Sequence, residues 1–192
     1  MSCMKLRQRI ESCRKAEKEM EKIKIALGCD HVGFELKEFL KEYLVNEKNA
    51  EIVLDPIKTK QDGYGSPADT TVQICEAIQR DECRLALLIC GTGLGFNHMA
   101  NSFWGIRAAC VSECYSAERA RKSLDAQILC LGARVLAPEY AKKVVDAWYD
   151  EPFNWERQSS VENKKCFQDL EARQLKKPDF VAWGMGYERE DV

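Results

Sequence analysis

The sequence lacks the features of a membrane-spanning, secreted or nucleic-acid-binding protein. No apolar run approaches the roughly 20 residues that cross a bilayer, and the first residues contain no apolar signal-peptide core. The formal net charge is only −2, so a basic surface for nucleic acid or for an anionic membrane is not expected. These absences predict a cytoplasmic globular protein.

The sequence also lacks any C-x-x-C pair, the spacing typical of zinc sites, although it contains ten cysteines. The cysteines are scattered, and several lie inside apolar segments, as Cys90 does at the end of Leu85–Cys90. A disulfide framework would need a short secreted chain. We therefore predict reduced thiols and no metal site.

Apolar segments alternate with amphipathic ones, without internal repeats. The strands are predicted at 23–28, 52–54, 85–90, 108–111 and 128–131. The helices are predicted at 34–46, 72–78, 116–123, 138–149 and 159–175, with another one after Cys90 and a turn-rich loop at 62–67. Strands alternating with helices predict an α/β domain with a parallel sheet.

The two ends of the chain differ from its centre in composition. Residues 1–22 are rich in lysine and glutamate, which favours a solvated helical extension over a partner-binding helix. Residues 158–192 predict a further helix and a tail without periodicity, either loose or lying over a partner subunit. The central domain is predicted at 23–157, since 192 residues suffice for one domain with extensions.

The most informative stretch is the predicted strand 85–90 with the glycine loop after it. Gly91, Gly93 and Gly95 follow Cys90 at every second position. A strand, a glycine loop and a helix start leave backbone N–H groups free for an anion. Such a loop also lies at the carboxyl edge of a parallel sheet, where α/β folds bind ligands. The spacing is not the dinucleotide fingerprint, so a structural loop and a phosphate loop both stay open.

Four segments together carry a family resemblance. They are GCDHVGFELK, ICGTGLG, GIRAACVSECYSAERAR and LGARV, in this order between about 23 and 157. With them the chain resembles ribose-5-phosphate isomerase B and its sugar-phosphate isomerase relatives. The resemblance implies a Rossmann-like three-layer α/β fold with a five-stranded parallel sheet, and a homodimer or a dimer of dimers. It also implies aldose–ketose isomerisation of a sugar phosphate through a cis-enediol, without metal or organic cofactor.

The same resemblance implies a set of site residues around the glycine loop. Cys90 matches the family's thiol base, although a small apolar core residue is the alternative. A helix N-terminus next to a thiol would favour the thiolate that such a base requires. Asn101 either contacts sugar hydroxyls or caps the structure. The predicted donors to the enediolate oxygen are Gly91, Gly93, Leu94 and Gly95, with the hydroxyl of Thr92.

Further site residues are implied outside the glycine loop. Asp30 and His31 match substrate contacts; the alternative is a helix-capping aspartate beside a solvent-facing histidine. Arg134 and Arg157 match phosphate-binding arginines, Arg157 acting across the dimer, and a guanidinium binds phosphate in bidentate fashion. Arg107 also has a match, which an ion pair explains equally well.

Several departures from the family pattern bear on the substrate. Relatives acting on ribose 5-phosphate carry a ring-opening histidine where this chain has Ser123. Val161 stands near the second C-terminal arginine of the family, and an insertion interrupts an aspartate–tyrosine–proline run around Tyr64. His98 replaces an aliphatic residue, either as a substitute imidazole or as a buried or partly satisfied structural histidine.

These departures favour a short, open-chain substrate such as erythrulose 4-phosphate over ribose 5-phosphate. An alternative function stays open, since the family also contains paired subunits with unequal catalytic residues. The chain would then be a catalytically weak, sugar-phosphate-binding subunit of a hetero-oligomeric isomerase.

Overall fold

A computed structural model describes residues 22–174 as alternating strands and helices. The strands are β1 (Lys24–Cys29), β2 (Glu51–Leu54), β3 (Leu85–Cys90), β4 (Ala108–Cys110) and β5 (Ile128–Gly132). The helices are α1 (Phe34–Asn46), α2 (Pro67–Gln79), α3 (Leu94–Ala100), α4 (Cys114–Leu124), α5 (Pro138–Tyr149) and α6 (Gln158–Gln174). The predicted extension at 1–22, apart from Lys22, and the predicted tail lie outside the described residues.

The five strands form one parallel sheet in the order β2-β1-β3-β5-β4. This topology confirms the predicted Rossmann-like three-layer α/β fold. The order reverses between β1 and β3, because β2 lies on the far side of β1. Loops that leave such a reversal point diverge and open a crevice at the carboxyl edge of the sheet, where ligands bind.

Alternate residues of β3 contribute to two separate cores. Leu85, Leu87 and Ile89 pack with α1, α4 and α5, whereas Leu88 and Cys90 face α2 and α3 on the other side of the sheet. The strand is buried on both faces, as its unbroken apolar sequence predicts. The thiol of Cys90 consequently points to the side of the sheet that α3 covers.

The predicted loop at 62–67 is only partly correct. Asp62–Tyr64 forms a short 3-10 turn, and α2 begins at Pro67, five residues before its predicted start. The Asp69 N–H donates to the Ser66 hydroxyl oxygen at 3.3 Å, and Pro67 occupies the first helical position. A serine cap followed by proline is a helix-start signal, which the turn-forming residues before it concealed.

The thiols of the described chain are not oxidised to disulfides. All eight cysteines within residues 22–174 are free. Burial raises the pKa of both Cys29 and Cys75 to about 12, so these two stay protonated at neutral pH. No group of three or more His, Cys, Asp or Glu side chains in this part of the chain is arranged to hold a metal ion.

Ion pairs attach α6 to the rest of the domain. Arg107 lies 3.5 Å from Glu171 and 3.9 Å from Asp125, and Lys164 lies 2.7 Å from Asp125. The sequence left the role of Arg107 open between substrate and ion pair, and the structure gives it the ion pairs. Within residues 22–174, no helix is both long and apolar enough to span a bilayer.

Candidate active site

Loops from β1 and β5 meet the end of β3 at the carboxyl edge of the sheet. The Asp30 N–H donates to the Ile89 carbonyl oxygen at 3.2 Å, and the Ala133 N–H donates to the Cys90 carbonyl oxygen at 2.8 Å. A Cβ atom at Gly33 would collide with the Ile89 carbonyl, so only glycine lets the start of α1 approach β3 so closely. Cys90 is therefore flanked by a loop on each side.

A backbone N–H group contacts the sulfur of Cys90. The half-buried Cys90 Sγ accepts a hydrogen bond from the Gly93 N–H at 3.1 Å. Gly93 has a φ of +81°, and a Cβ atom there would lie 2.8 Å from the Sγ of Cys110. Both features require glycine at this position. This hydrogen bond places a backbone donor on the sulfur, the atom of cysteine that accepts a proton in base catalysis.

The predicted donors to an enediolate oxygen are only partly available. The Gly93 N–H is engaged by Cys90, and the Leu94 N–H faces the Thr92 hydroxyl oxygen at 3.4 Å. The N–H groups of Gly91 and Gly95 have no acceptor within residues 22–174. The N–H groups of Gly93 and Leu94 are therefore already engaged within the loop, whereas those of Gly91 and Gly95 remain predicted donors, with the exposed Thr92 hydroxyl beside them.

The Asp30–His31 loop combines a turn-stabilising carboxylate with a stacked imidazole. Asp30 Oδ1 accepts from the N–H groups of Val32 and Gly33 at 2.9 and 2.8 Å. Both residues precede α1, and no side chain caps this helix, so the capping alternative is wrong and Asp30 instead stabilises the turn before it. The imidazole of His31 stacks on the ring of Tyr64, with centroids 4.1 Å apart and planes at 15°. His31 is half-buried and its stacking partner Tyr64 is 62% exposed, so the imidazole is oriented by the stack while substrate contact by His31 stays a prediction. Tyr64, absent from our predicted site residues, lies at the site because its loop packs under His31.

Arg134 extends over the glycine loop. Its N–H donates to the Gly91 carbonyl oxygen at 3.0 Å. Its Cδ and Nε atoms lie 3.6 and 3.7 Å from where a Cβ atom of Gly91 would be. The side chain is exposed and forms no ion pair or hydrogen bond with another side chain of the described residues. The guanidinium is therefore free to bind a phosphate beside Cys90.

Asn101 does not lie at this site. Its side-chain amide donates to the Ala108 carbonyl oxygen at 2.9 Å and accepts from the Ala108 N–H at 3.0 Å. Ala108 pairs with Ile128, whereas Cys90 pairs with Gly132, four residues further along β5. These two positions on β5 are about 13 Å apart along the strand. The predicted sugar contact of Asn101 is wrong, and its structural alternative is correct.

His98 is exposed on α3. Phe96 and Ala100 are the buried residues of this helix, so His98 lies on the face turned away from the sheet. The alternative of a buried structural histidine is therefore wrong. The role of His98 as a substitute imidazole stays a prediction, and its exposed face would reach a substrate only from the surface.

Arg157 lies apart from the Cys90 site of its own chain. Its Nε donates to the Ser159 hydroxyl at 2.9 Å, and its N–H donates to Asn154 Oδ1 at 3.0 Å. The Asn154 N–H in turn donates to the Lys122 carbonyl oxygen at 3.2 Å, near the end of α4. Helix α4 runs from the carboxyl edge of the sheet back to the amino edge. The distance along the helix axis from Cys114 to Lys122 is about 12 Å.

Ser123 lies beside Lys122 at the same end of α4, and its hydroxyl accepts a hydrogen bond from Arg119. Arg157 and Ser123 therefore share the amino-edge region, whereas Cys90 and Arg134 lie at the carboxyl edge. One chain brings together only part of the predicted site.

Comparisons with known proteins agree with the fold described above. Residues 25–165 match the model of the Ribose/Galactose Isomerase family. The chain is 41% identical over 133 residues to a ribose-5-phosphate isomerase B of Listeria innocua, covering 69% of this chain and 87% of that protein. It is 37% identical over 131 residues to the D-erythrulose-4-phosphate isomerase of Pectobacterium atrosepticum, covering 68% and 85%. The structure of ribose-5-phosphate isomerase B from Clostridium thermocellum superposes with a TM-score of 0.72 at 31% identity, covering 79% and 99%.

Proposed function

This chain belongs to the ribose/galactose isomerase family and is an aldose–ketose isomerase of a phosphorylated sugar, and we propose that Cys90 is the base that transfers a proton between two carbon atoms of the substrate. The observation that carries the proposal is the half-buried thiol of Cys90, with the Gly93 N–H on its sulfur at 3.1 Å. The free guanidinium of Arg134 and the stacked His31 lie on the loops next to it. A base, an anion anchor and polar groups for hydroxyls are thus assembled at one edge.

The proposed reaction uses these groups in order. The Cys90 thiolate removes the proton from the carbon next to the carbonyl, which leaves a cis-enediolate. A proton then passes from the neighbouring hydroxyl to the former carbonyl oxygen through the cis-enediol, and the sulfur returns its proton to the former carbonyl carbon while the other carbon becomes the new carbonyl. Negative charge that develops on the oxygen is stabilised by the free N–H groups of Gly91 and Gly95 and by the Thr92 hydroxyl. His31 and the second oxygen of Asp30 orient sugar hydroxyls. The reaction so described uses no metal or organic cofactor.

A panel of phosphorylated sugars with four to six carbons tests the activity itself. We expect interconversion of aldose and ketose for at least one of them, measured by an enzyme-coupled assay and by exchange of solvent deuterium into the product. Sugar-phosphate binding without turnover of any member would instead indicate a catalytically weak binding subunit.

The free thiols of the described chain support a reducing, cytoplasmic location.

Arg134→Ala is expected to weaken substrate binding. Removal of a charge-assisted hydrogen bond typically costs about 1.5–3 kcal/mol, so KM should rise by about one to two orders of magnitude with a smaller change in kcat. The KM of Arg134→Lys should fall between the values of the wild type and of Arg134→Ala, because lysine keeps the charge without the bidentate fork.

The matched control is Arg80→Ala, because Arg80 forms exposed ion pairs with Glu76 and Glu82 away from the glycine loop. Its KM should equal that of the wild type. An Arg134→Ala enzyme with unchanged KM would contradict phosphate binding by Arg134.

We also propose a homodimer in which Arg157 completes the phosphate site of its neighbour. Arg157 lies toward the amino edge of the sheet in its own chain, so it can meet Arg134 at a phosphate only between two subunits. The side chain of Leu94 is 63% exposed next to the glycine loop, and that of Trp104, in the segment between α3 and β4, is 58% exposed. Apolar groups exposed in this way support a subunit contact on the α3 side.

Mixed dimers test the shared site. Cys90→Ala and Arg157→Ala chains, co-expressed with two different tags and purified as heterodimers, should recover activity, because one of the two sites then has both wild-type residues. Heterodimers of Cys90→Ala with Arg134→Ala chains are the control, since each site keeps one defect and activity should not exceed that of Arg134→Ala. Equal activity in both heterodimers would contradict the contribution of Arg157 across the interface.

A further inference from the structure

One peptide group lies between two thiols in the glycine loop. The N–H of the Thr92–Gly93 peptide donates to Cys90 Sγ at 3.1 Å. The carbonyl oxygen of the same peptide accepts from Cys110 Sγ at 3.6 Å, within the range of a hydrogen bond that involves sulfur. The orientation of this peptide is thus fixed from both ends.

The fold brings Cys110 to this peptide from another strand. Cys110 is the last residue of β4 and pairs with Cys130 of β5, which separates β4 from β3. Cys110 and Cys90 face the same core. The sulfur of Cys110 packs so closely on Gly93 that a Cβ atom there would lie 2.8 Å away. The contact therefore involves packing as well as a hydrogen bond.

We propose that Cys110 is a positioning residue for Cys90, because its thiol holds the Thr92–Gly93 peptide with the N–H directed at the Cys90 sulfur. The proposal rests on Cys90 being the base. If this peptide rotated, its carbonyl oxygen would face the sulfur and repel a thiolate. Donation to the carbonyl oxygen also polarises the amide, which strengthens its N–H as a donor.

The thiol of Cys110 keeps its proton at neutral pH. Burial raises the pKa of Cys110, and the neighbouring Cys90 raises it further. Burial also holds the pKa of Cys130, the thiol on β5 that faces Cys110, well above its ordinary range. The guanidinium group of Arg134 lies on the Gly91 side of the glycine loop. The S–H group of Cys110 is therefore a stable donor at neutral pH.

Variants of Cys110 separate positioning from packing. Cys110→Ala and Cys110→Val remove the donor, and valine fills the space, whereas Cys110→Ser keeps a donor. Loss of one hydrogen bond should lower kcat about three- to tenfold in the first two, with little change in KM. Alkylation of Cys90 by iodoacetamide, followed by peptide mass spectrometry, should reach half its maximal rate at a higher pH in these two variants. Cys110→Ser should stay close to the wild type in both measurements.

The control is Cys75→Ala, which removes a buried thiol of α2 that forms no hydrogen bond with the loop. It should leave kcat and the alkylation profile of Cys90 unchanged. Folded Cys110→Ala or Cys110→Val with a wild-type alkylation profile would overturn the proposal, even if their melting temperatures were lower. The alkylation measurement does not need turnover, so failure of Cys90 as the base would be visible separately, as an active Cys90→Ala enzyme.

Discussion

Replacing Cys90 by alanine is expected to lower kcat by about 10²- to 10⁴-fold, the usual contribution of a positioned acid–base group. The dissociation constant of the substrate should change little, because the sulfur acts mainly in the transition state and Arg134 still binds the phosphate. The measurements are steady-state kinetics, titration calorimetry with substrate, and deuterium exchange at the reacting carbon. All exchange catalysed by the enzyme should disappear with the sulfur.

Two further variants make this expectation specific. Cys90→Ser keeps the size and the hydrogen bond from Gly93 but replaces the thiol by a hydroxyl, so it should be nearly as inactive as alanine. Cys166→Ala removes an exposed thiol on α6 and should behave as the wild type. A Cys90→Ala enzyme with near-normal turnover would assign the proton transfer to another residue, with Asp30 as the nearest carboxylate candidate.

The sequence predicted those parts of the fold in which local pattern and burial agree. The apolar run Leu85–Cys90 and the amphipathic segment Pro138–Tyr149 form elements with the predicted bounds, because the sheet and its covering helices need the same hydrophobic spacing that the sequence displays. Where two local signals overlapped, the prediction failed. The turn residues before Ser66 hid the helix start at Pro67.

The site was less predictable, because side-chain partners depend on contacts between distant segments. Asn101 is satisfied by the backbone of Ala108 across a turn, and nothing in its own sequence neighbourhood indicates this. The stacking of His31 on Tyr64 joins loops that follow different strands. The peptide shared by Cys90 and Cys110 depends on the order of β3, β5 and β4, which the alternation of elements does not specify.

The second large effect concerns the substrate. Ribose 5-phosphate closes into a furanose ring that an acid–base group must open before isomerisation. In erythrulose 4-phosphate the terminal oxygen already carries the phosphate, so this sugar stays an open chain. The family resemblance implies a ring-opening histidine at the position of Ser123, and the hydroxyl of Ser123 accepts a hydrogen bond from Arg119. We therefore expect kcat/KM to be about 10²-fold or more higher for erythrulose 4-phosphate, since a missing general acid costs that much. Ser123→His should raise kcat/KM for ribose 5-phosphate and leave the shorter substrate unaffected.

Replacing His98 tests whether the substrate is an open chain or whether His98 opens the sugar ring. It is exposed on the outer face of α3, so in a dimer it could approach a ring oxygen from the surface. If the substrate is an open chain, His98→Ala should leave kcat/KM for erythrulose 4-phosphate unchanged, and the wild type should remain poor on ribose 5-phosphate. Efficient turnover of ribose 5-phosphate that disappears in His98→Ala would instead make His98 the ring-opening acid. The preference for a short, open-chain substrate would then be overturned, since the substitution at Ser123 would no longer prevent ring opening.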